Sequence, residues 1–490
     1  MIERTAVAVL GAGFGGLTLA HRLAQDGIDD VVLFERDDGI GGTWRANSYP
    51  GAACDVPSHL YSLSFAPKPD WSRAYATQPE ILAYIEDCYD RFDVRRKVRL
   101  HTEIVAATWS EVDARWRLRD RAGQEYEAQV LVSAIGMFNT PWTPAIPGLD
   151  DFRGARFHSA RWDHDHDLTG RRVAVVGTGA SAIQVVPAIV ERAAHVDVYQ
   201  RTAPWILPRR DPPYTPDQQR IFATRPDEAA RHRRELHDLF EQTTAFVAGD
   251  PSVETIAETA RGYLAHKVPD PDLRARLTPG QPFGCQRTLV SSDYYPAVQR
   301  DDVELVTAGI ERVTPTGIRG CDGAERPVDT IVLCTGFRAA EYLRGIDVVG
   351  RDGVGLHDRW AGVPRAYHGI AVPGFPNFFM LYGPNTNQGG NSILLVLEAQ
   401  AQFVASALDA MRAEGASWID VSAEAMAAHA DALVRDLGTT VWAGACSSYF
   451  HNAAGDIVTQ LPHTSGWYRE ATKEIDRDDF VFGGVTCTTS

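Results

Sequence analysis

Two glycine-rich turns carry the clearest chemistry in this chain. The first, Gly11-Ala-Gly13-Phe-Gly-Gly16, follows the apolar run Val7–Leu10 and precedes a helical pattern from Leu17 to Gln25. The second, Gly177-Thr178-Gly179-Ala180-Ser181-Ala182, follows Arg172–Val176 and opens a helix reaching about Ala194. Glycines in this context let the backbone approach a pyrophosphate, and the helix N-terminus favours its negative charge. The ends of the next strands differ. Val31–Phe34 ends at Glu35, an acid placed to accept from a free ribose 2′-hydroxyl. Val196–Tyr199 ends in Gln200-Arg201-Thr202, which removes that repulsion and supplies donors for a 2′-phosphate. The first turn is therefore expected to take FAD or NAD, and the second NADPH. Two such turns, 166 residues apart, point to an enzyme that passes electrons from one dinucleotide to another.

Other residues are less telling by themselves. Gly41-Gly-Thr43-Trp44 is a compact turn carrying one flat aromatic that could approach a planar ring. Asp55 closes the loop Tyr49-Pro-Gly-Ala-Ala-Cys-Asp55, where an Asx-turn capping its own loop is the simpler account. Trp162-Asp-His-Asp-His-Asp167 alternates metal-ligand types, but on a loop it reads as a solvated acidic turn, and no metal is expected. No G-x-S-x-G elbow supports acyl hydrolysis.

The elements that must position these groups read as α/β, with two Rossmann-like dinucleotide-binding domains and an inserted helical subdomain. Residues 1–143 and 338–490 form the expected FAD domain, 150–207 and 284–337 the NADPH domain, and 208–283 the helical insert. Within this plan, Val98–Trp116 reads as a small antiparallel insertion and Val130–Gly136 as a buried strand. The stretch Phe152–Asp163 reads as the linker between the two turns, and helices are expected near Pro226–Ala248, Val253–His266 and Asp270–Leu277 in the insert. A helix from Ile393 to about Ala413 and another near Ala423–Leu437 complete the chain.

Composition narrows the class further. At 490 residues, with 44% apolar and 23% charged residues, the chain can bury a sizeable core. Its net charge of −16 argues against a nucleic-acid or anionic-membrane partner. Seven scattered cysteines, with no C-x-x-C, count against a disulfide framework, dithiol chemistry and zinc knuckles, and favour a reducing cytoplasm. The apolar run Ala6–Ala20 is too glycine-rich for a leader, and no run of 18 apolar residues supports stable membrane insertion.

With these residues in place, the chain resembles the class B flavin-dependent monooxygenases, most closely the type I Baeyer–Villiger monooxygenases. Phe152, Gly154, His158, Trp162 and Asp163 match every fixed position of that family's F-x-G-x-x-x-H-x-x-x-W-[P/D] signature. The likeness runs from Val7 to about Pro462 and is weakest in the helical insert. It implies FAD and NADPH as cofactors. It also implies oxygenation of a small-molecule ketone by O2 to an ester or lactone through a C4a-peroxyflavin. Thr43, Trp44, Asp55 and Tyr61 look like its flavin-contacting set, and Val105 is counted with them. Arg201 and Thr202 look like its 2′-phosphate binders. Arg287, in Phe283-Gly-Cys-Gln-Arg287, matches the arginine that faces the flavin and pairs with Asp55, making these two the expected catalytic pair. His158 is similar to a residue used in domain motion and cofactor handling rather than as an acid or base.

The chain departs from the family at several points. Gln286 stands where relatives contacting the NADPH phosphate commonly carry lysine, which softens the expected preference for NADPH over NADH. Ala134-Ile-Gly136 replaces A-T-G, Gly390 replaces a common histidine, Ala52 an occasional arginine, and Ser447-Ser-Tyr449 a more usual Ser-Trp-Tyr. The nearest alternative is a flavin monooxygenase acting on the sulfur or nitrogen of a thioether or amine. Trp162 and Asp163 favour the ketone chemistry over it. A pyridine-nucleotide disulfide reductase lacks a suitably spaced cysteine pair. A silent flavin-binding scaffold would not need Glu35, Asp55 and Arg287 together.

Overall fold

The computed structural model describes residues 2–241, 246–444 and 446–484. Strand β1 (Glu3–Leu10), helix α1 (Phe14–Gln25) and strand β2 (Val31–Phe34) form the first strand–turn–helix–strand unit. β1 pairs in parallel with β2 on one side and with Glu125–Ser133 on the other. Its Val7–Leu10 end is almost fully buried, as a strand covered on both faces requires. The antiparallel insertion is present as Ile104–Ser110, Arg115–Asp120 and Glu125–Ser133, joined edge to edge. Phe378–Met380 returns from far along the chain to pair in parallel with Glu125–Ser133.

The second unit repeats the pattern with β3 (Arg172–Val176), helix α2 (Ala180–Ile189) and β4 (His195–Tyr199). Its five-stranded parallel sheet runs Val303–Val306, β4, β3, Thr330–Leu333, Ala155–His158. The stretch expected to be a linker is thus partly the edge strand of this sheet. Two chain crossings join the sheets and hold each other. Trp142 N–H donates to the Gly336 carbonyl at 2.9 Å, and Arg338 N–H donates to the Thr140 carbonyl at 3.0 Å.

The insert holds four helices, Pro216–Thr224, Pro226–Glu241, Pro251–Lys267 and Pro271–Leu277. The first of these was not expected, although its capping box is written in the sequence. Thr215 accepts from the Gln218 N–H, and the Gln218 side chain accepts from the Thr215 N–H. The second was expected to reach Ala248, but Val247 instead bridges to Thr440, and residues 242–245 lie outside the described residues. Ile393–Ala413 is long and apolar enough to cross a membrane, yet it lies largely buried beside α1, where Gln402 accepts from Arg22 at 2.8 Å.

A disulfide joins Cys285 and Cys446, with Cα atoms 5.2 Å apart. This corrects the expectation drawn from scattered cysteines. Partners 161 residues apart in sequence are brought together only by the tertiary fold.

Candidate active site

The two glycine turns open into one cleft of about 1300 Å³, whose walls include Gly13, Glu35, Asp55, Gly179, Arg201 and Arg287. Within each turn the glycines serve different ends. Gly11 and Gly177 hold φ of +105° and +116°, and a Cβ would lie 2.8 Å from the Ala134 carbonyl oxygen in one case and against the Cys334 carbonyl in the other. Gly16 brings α1 so close to the turn that a Cβ would strike the Gly11 carbonyl oxygen. The equivalent Ala182 is fully buried and accommodated. Gly13 would meet only Gly42 at 3.6 Å, and at Gly179 a Cβ would meet no protein atom within 4 Å. Protein packing therefore does not demand glycine at these two positions. Both line the cleft, and a backbone kept bare there fits close approach by a phosphate.

Glu35, at the end of β2, is buried and acts partly as a clamp. One carboxylate oxygen accepts from the Ala12 N–H and the other from the Asp37 N–H, each at 2.9 Å. Each oxygen retains a lone pair for a ribose hydroxyl. At the end of β4, the Gln200 side chain is buried and donates to the Arg276 carbonyl at 2.7 Å. One of its two amide N–H groups is thereby used, and Gln200, Arg201 and Thr202 all line the cleft. The Thr178 hydroxyl donates to the Thr202 carbonyl at 2.9 Å and fixes this strand end against the turn.

Thr43 and Trp44 begin a short helix lining the cleft. Trp44 Nε1 donates to the Tyr61 hydroxyl at 3.0 Å, with the rings edge to face. The cleft wall beside Val105 is made by Thr102, Glu103 and Ile104, where the strand register shifts between Ile104 and Ala106.

Arg287 Nε donates to Asp55 Oδ2 at 2.7 Å, with both side chains about a quarter exposed to the cleft (28% and 24%). Asp55 is therefore an ion-pair partner rather than a self-capping turn residue. Burial alone would raise its carboxyl, but the Arg287 guanidinium outweighs burial and holds it below the ordinary carboxylate value. Asp55 in turn raises the Arg287 guanidinium. The remaining guanidinium N–H groups have no protein acceptor among the described residues, and the partly buried phenols of Tyr382 and Tyr449 stand nearby.

The loop carrying Asp55 is tied to α2 by a contact that sequence reasoning missed. Tyr49 donates to Gln184 Oε1, and Gln184 Nε2 donates to the Ala53 carbonyl, each at 3.0 Å. Gly51, at φ +82°, lets the loop press onto the Gln184 carbonyl, and this glycine was the one available signal.

The signature residues lie behind the cleft. Phe152 is buried in the second sheet's core, and a Cβ on Gly154 would strike the Asp329 carbonyl. His158 Nδ1 accepts from the Ala160 N–H at 3.1 Å, so Nε2 carries the proton it donates to the Gly336 carbonyl at 3.0 Å. Burial lowers this imidazole's proton affinity, and both its nitrogens are committed at the chain crossing. Trp162 packs edge to face on Phe157, and Asp163 accepts from the Asp165 N–H. The His–Asp alternation does not converge. His164 meets Ser48, His166 meets Thr330, and Asp167 holds Thr169 and Arg192.

Fold and cleft define a class, an enzyme with two dinucleotide sites facing one chamber. The comparisons with known proteins are specific. A family model described as flavin-binding monooxygenase-like matches residues 4–229. A Baeyer-Villiger monooxygenase of Pseudomonas aeruginosa is 42% identical over 474 residues, spanning 96% of this chain and 90% of the relative. Another from Streptomyces coelicolor is 40% identical over 481 residues, spanning 98% and 92%. The solved structure of an oxidized steroid monooxygenase bound to NADP matches with a TM-score of 0.88 at 34% identity, covering 98% of this chain and 99% of that one. A closed cyclohexanone monooxygenase matches with a TM-score of 0.89 at 29% identity, covering 99% and 100%. The chain belongs to the Baeyer–Villiger monooxygenases, and it is an FAD-containing, NADPH-dependent enzyme.

Proposed function

We propose that Arg287 is the catalytic cation of this enzyme and that Asp55 positions it. The reaction inserts one oxygen next to a ketone carbonyl and gives an ester or lactone. Bound FAD, reduced by NADPH, supplies the oxygen-activating chemistry that protein side chains lack. The chain's own part is to bind, orient and neutralise charge. The first unit, 1–143 with 338–490, would hold FAD through Gly11, Gly13, Gly16 and Glu35, with Thr43, Trp44 and Tyr61 at the ring side. The second, 150–207 with 284–337, would hold NADPH through Gly177 to Ala182, Arg201 and Thr202. The insert, 208–283, would wall the substrate side.

The observation that carries this reading is the 2.7 Å Arg287–Asp55 pair inside the shared cleft. Asp55 takes Nε and fixes the guanidinium plane, leaving the terminal N–H groups for negative charge developing on the ketone oxygen. A guanidinium keeps its charge at any working pH. His158 would serve as a fastener of the crossing, because its proton is already placed on Gly336. The same cleft would also accept thioethers or amines as a side activity. A cytoplasmic setting fits the acidic surface and the folding of Ala6–Ala20 into core strand and helix.

Arg287→Ala tests the assignment. Ester formation should fall about 10²–10³-fold, equivalent to about 2.7–4 kcal/mol of lost stabilisation, while anaerobic flavin reduction by NADPH continues. Near wild-type ester formation, with only a lowered melting temperature, would make the pair a structural bridge between units.

A further inference from the structure

We propose that the Cys285–Cys446 bond is a positioning element, holding the segment from Cys446 to Tyr449 over the Arg287–Asp55 pair. In this proposal, thiol–disulfide exchange at the bond sets how much NADPH consumption ends in oxygenated product rather than free hydrogen peroxide. The proposal rests on the assignment of Arg287 given above.

The placement carries the argument. Cys285 is fully buried and stands two residues before Arg287, and Cys446 is partly exposed and stands three residues before Tyr449. Gln286 and Arg287 on one strand of chain, and Ser447, Ser448 and Tyr449 on the other, all line the cleft. The other ties between these segments are neutral hydrogen bonds and an apolar cluster that includes Phe283, Trp442 and Phe450. Trp442 Nε1 donates to the Gly284 carbonyl at 2.9 Å, Gln286 Nε2 to the Ser447 carbonyl at 3.2 Å, and Ser447 N–H to Gln281 Oε1 at 3.3 Å. The first is buried beside that cluster, the last two are exposed so that water competes for them, and the disulfide adds a covalent tie next to Arg287. Tyr449 packs between Phe138 and Phe450, closing an aromatic wall beside the pair. A wall that excludes water is what separates productive oxygen transfer from loss of peroxide to solvent.

The redox step balances with a dithiol as reductant. Its thiolate attacks the accessible Cys446 sulfur, and Cys285 leaves as a thiolate and takes a proton. The second thiol then displaces Cys446 as a thiol, and the reductant departs as its own disulfide with two electrons and two protons delivered. The four other described cysteines do not compete for this pairing. Cys54, Cys88 and Cys334 are buried, and Cys321 is exposed in a hairpin turn hydrogen-bonded to Gly309.

The test uses the FAD-loaded full chain. Denatured protein is alkylated before and after dithiothreitol treatment, and the Cys285 and Cys446 peptides are read by mass spectrometry. Separately, native protein is assayed as isolated, after dithiothreitol and its removal, after reoxidation, and as Cys285→Ser/Cys446→Ser. The readouts are hydrogen peroxide per NADPH and the rate of protease cleavage between 441 and 449. Both peptides should resist alkylation until reduction. Reduction and the double substitution should each raise the peroxide share severalfold and speed cleavage. The NADPH oxidation rate should change little, and reoxidation should restore wild type only. If both peptides alkylate without reduction, the bond does not form and the proposal fails. It also fails if reduction leaves the peroxide share unchanged. Failure of the Arg287 assignment would look different, as ester formation by Arg287→Ala at near wild-type rate.

Discussion

The two dinucleotide units share a strand–turn–helix–strand plan but spend their residues differently. In the first, the helix presses onto the turn, a methyl at Gly16 does not fit, and Glu35 clamps the turn through two backbone amides. In the second, Ala182 fits in the equivalent place, Gly179 faces open space, and Arg201 and Thr202 stand at the strand end. One unit is built tightly around its turn, as suits a cofactor held through turnover. The other leaves room, as suits a cofactor bound anew in each cycle. The same motif can therefore encode two ligand regimes through third-position bulk and strand-end charge.

The strongest way to break this comparison is to exchange the third positions. Gly16→Ala should give protein that fails to retain FAD, because the new methyl meets a backbone carbonyl that cannot step aside. Ala182→Gly should retain FAD and lose only about 1 kcal/mol of stability, as glycine in a helix costs relative to alanine. Equal FAD retention in both variants would undo the distinction. Next in size is Arg201→Ala, which removes a charged donor at the second strand end. The KM for NADPH should rise about 10–100-fold, the loss of one charge-assisted interaction, with the KM for NADH nearly unchanged. A parallel rise for both cofactors would place Arg201 away from the 2′-phosphate.

Acid should separate the units by a smaller step. Burial pushes the imidazoles of His59 and His429 down to about 4 and that of His368 to about 3, and neighbouring histidines add to the effect. Their folded values lie below the unfolded one, so the unfolded chain binds protons first. Stability is then fully present above about pH 6.5 and falls as pH drops toward 4, by at most about 1.4 kcal/mol per pH unit for each histidine. All three belong to the first unit or its contact with the insert. Raised buried carboxyls oppose this loss in both units, Asp420 at about 7 in the first and Asp197 in the second, and the second unit has one buried imidazole of the histidines' sign, His158, against three in the first. Free FAD fluorescence should appear in this pH window while the second sheet still resists amide exchange. Loss of both together would contradict the contrast. The smallest expected effect is from Gln286→Lys, a cation added at a partly exposed site whose amide now holds Ser447. The NADPH/NADH preference should rise by about 1 kcal/mol or less, measured as a ratio of kcat/KM values.

Much of this was legible before any coordinates. The turns, Glu35, the two central strands and the signature residues are set by local spacing, and local spacing is what a sequence displays. The bond from Gln200 to the Arg276 carbonyl was not legible, because Arg276 lies 76 residues further along the chain. The Asp55–Arg287 pair, 232 residues apart, came only from resemblance, and the Gln184 tie and the Cys285–Cys446 bond were missed. All three are long-range pairings that local patterns do not encode.

The most direct test of the central claim separates the two half-reactions in one sample. FAD-loaded Arg287→Ala and Arg287→Lys proteins are reduced anaerobically with NADPH in rapid mixing, then mixed with oxygen and a cyclic ketone. Flavin absorbance, ester and hydrogen peroxide are measured. Both variants should be reduced, and their NADPH should reappear almost wholly as peroxide, with lysine recovering little of the ester because it lacks the planar fork. Ester at wild-type yield in Arg287→Ala would contradict the account.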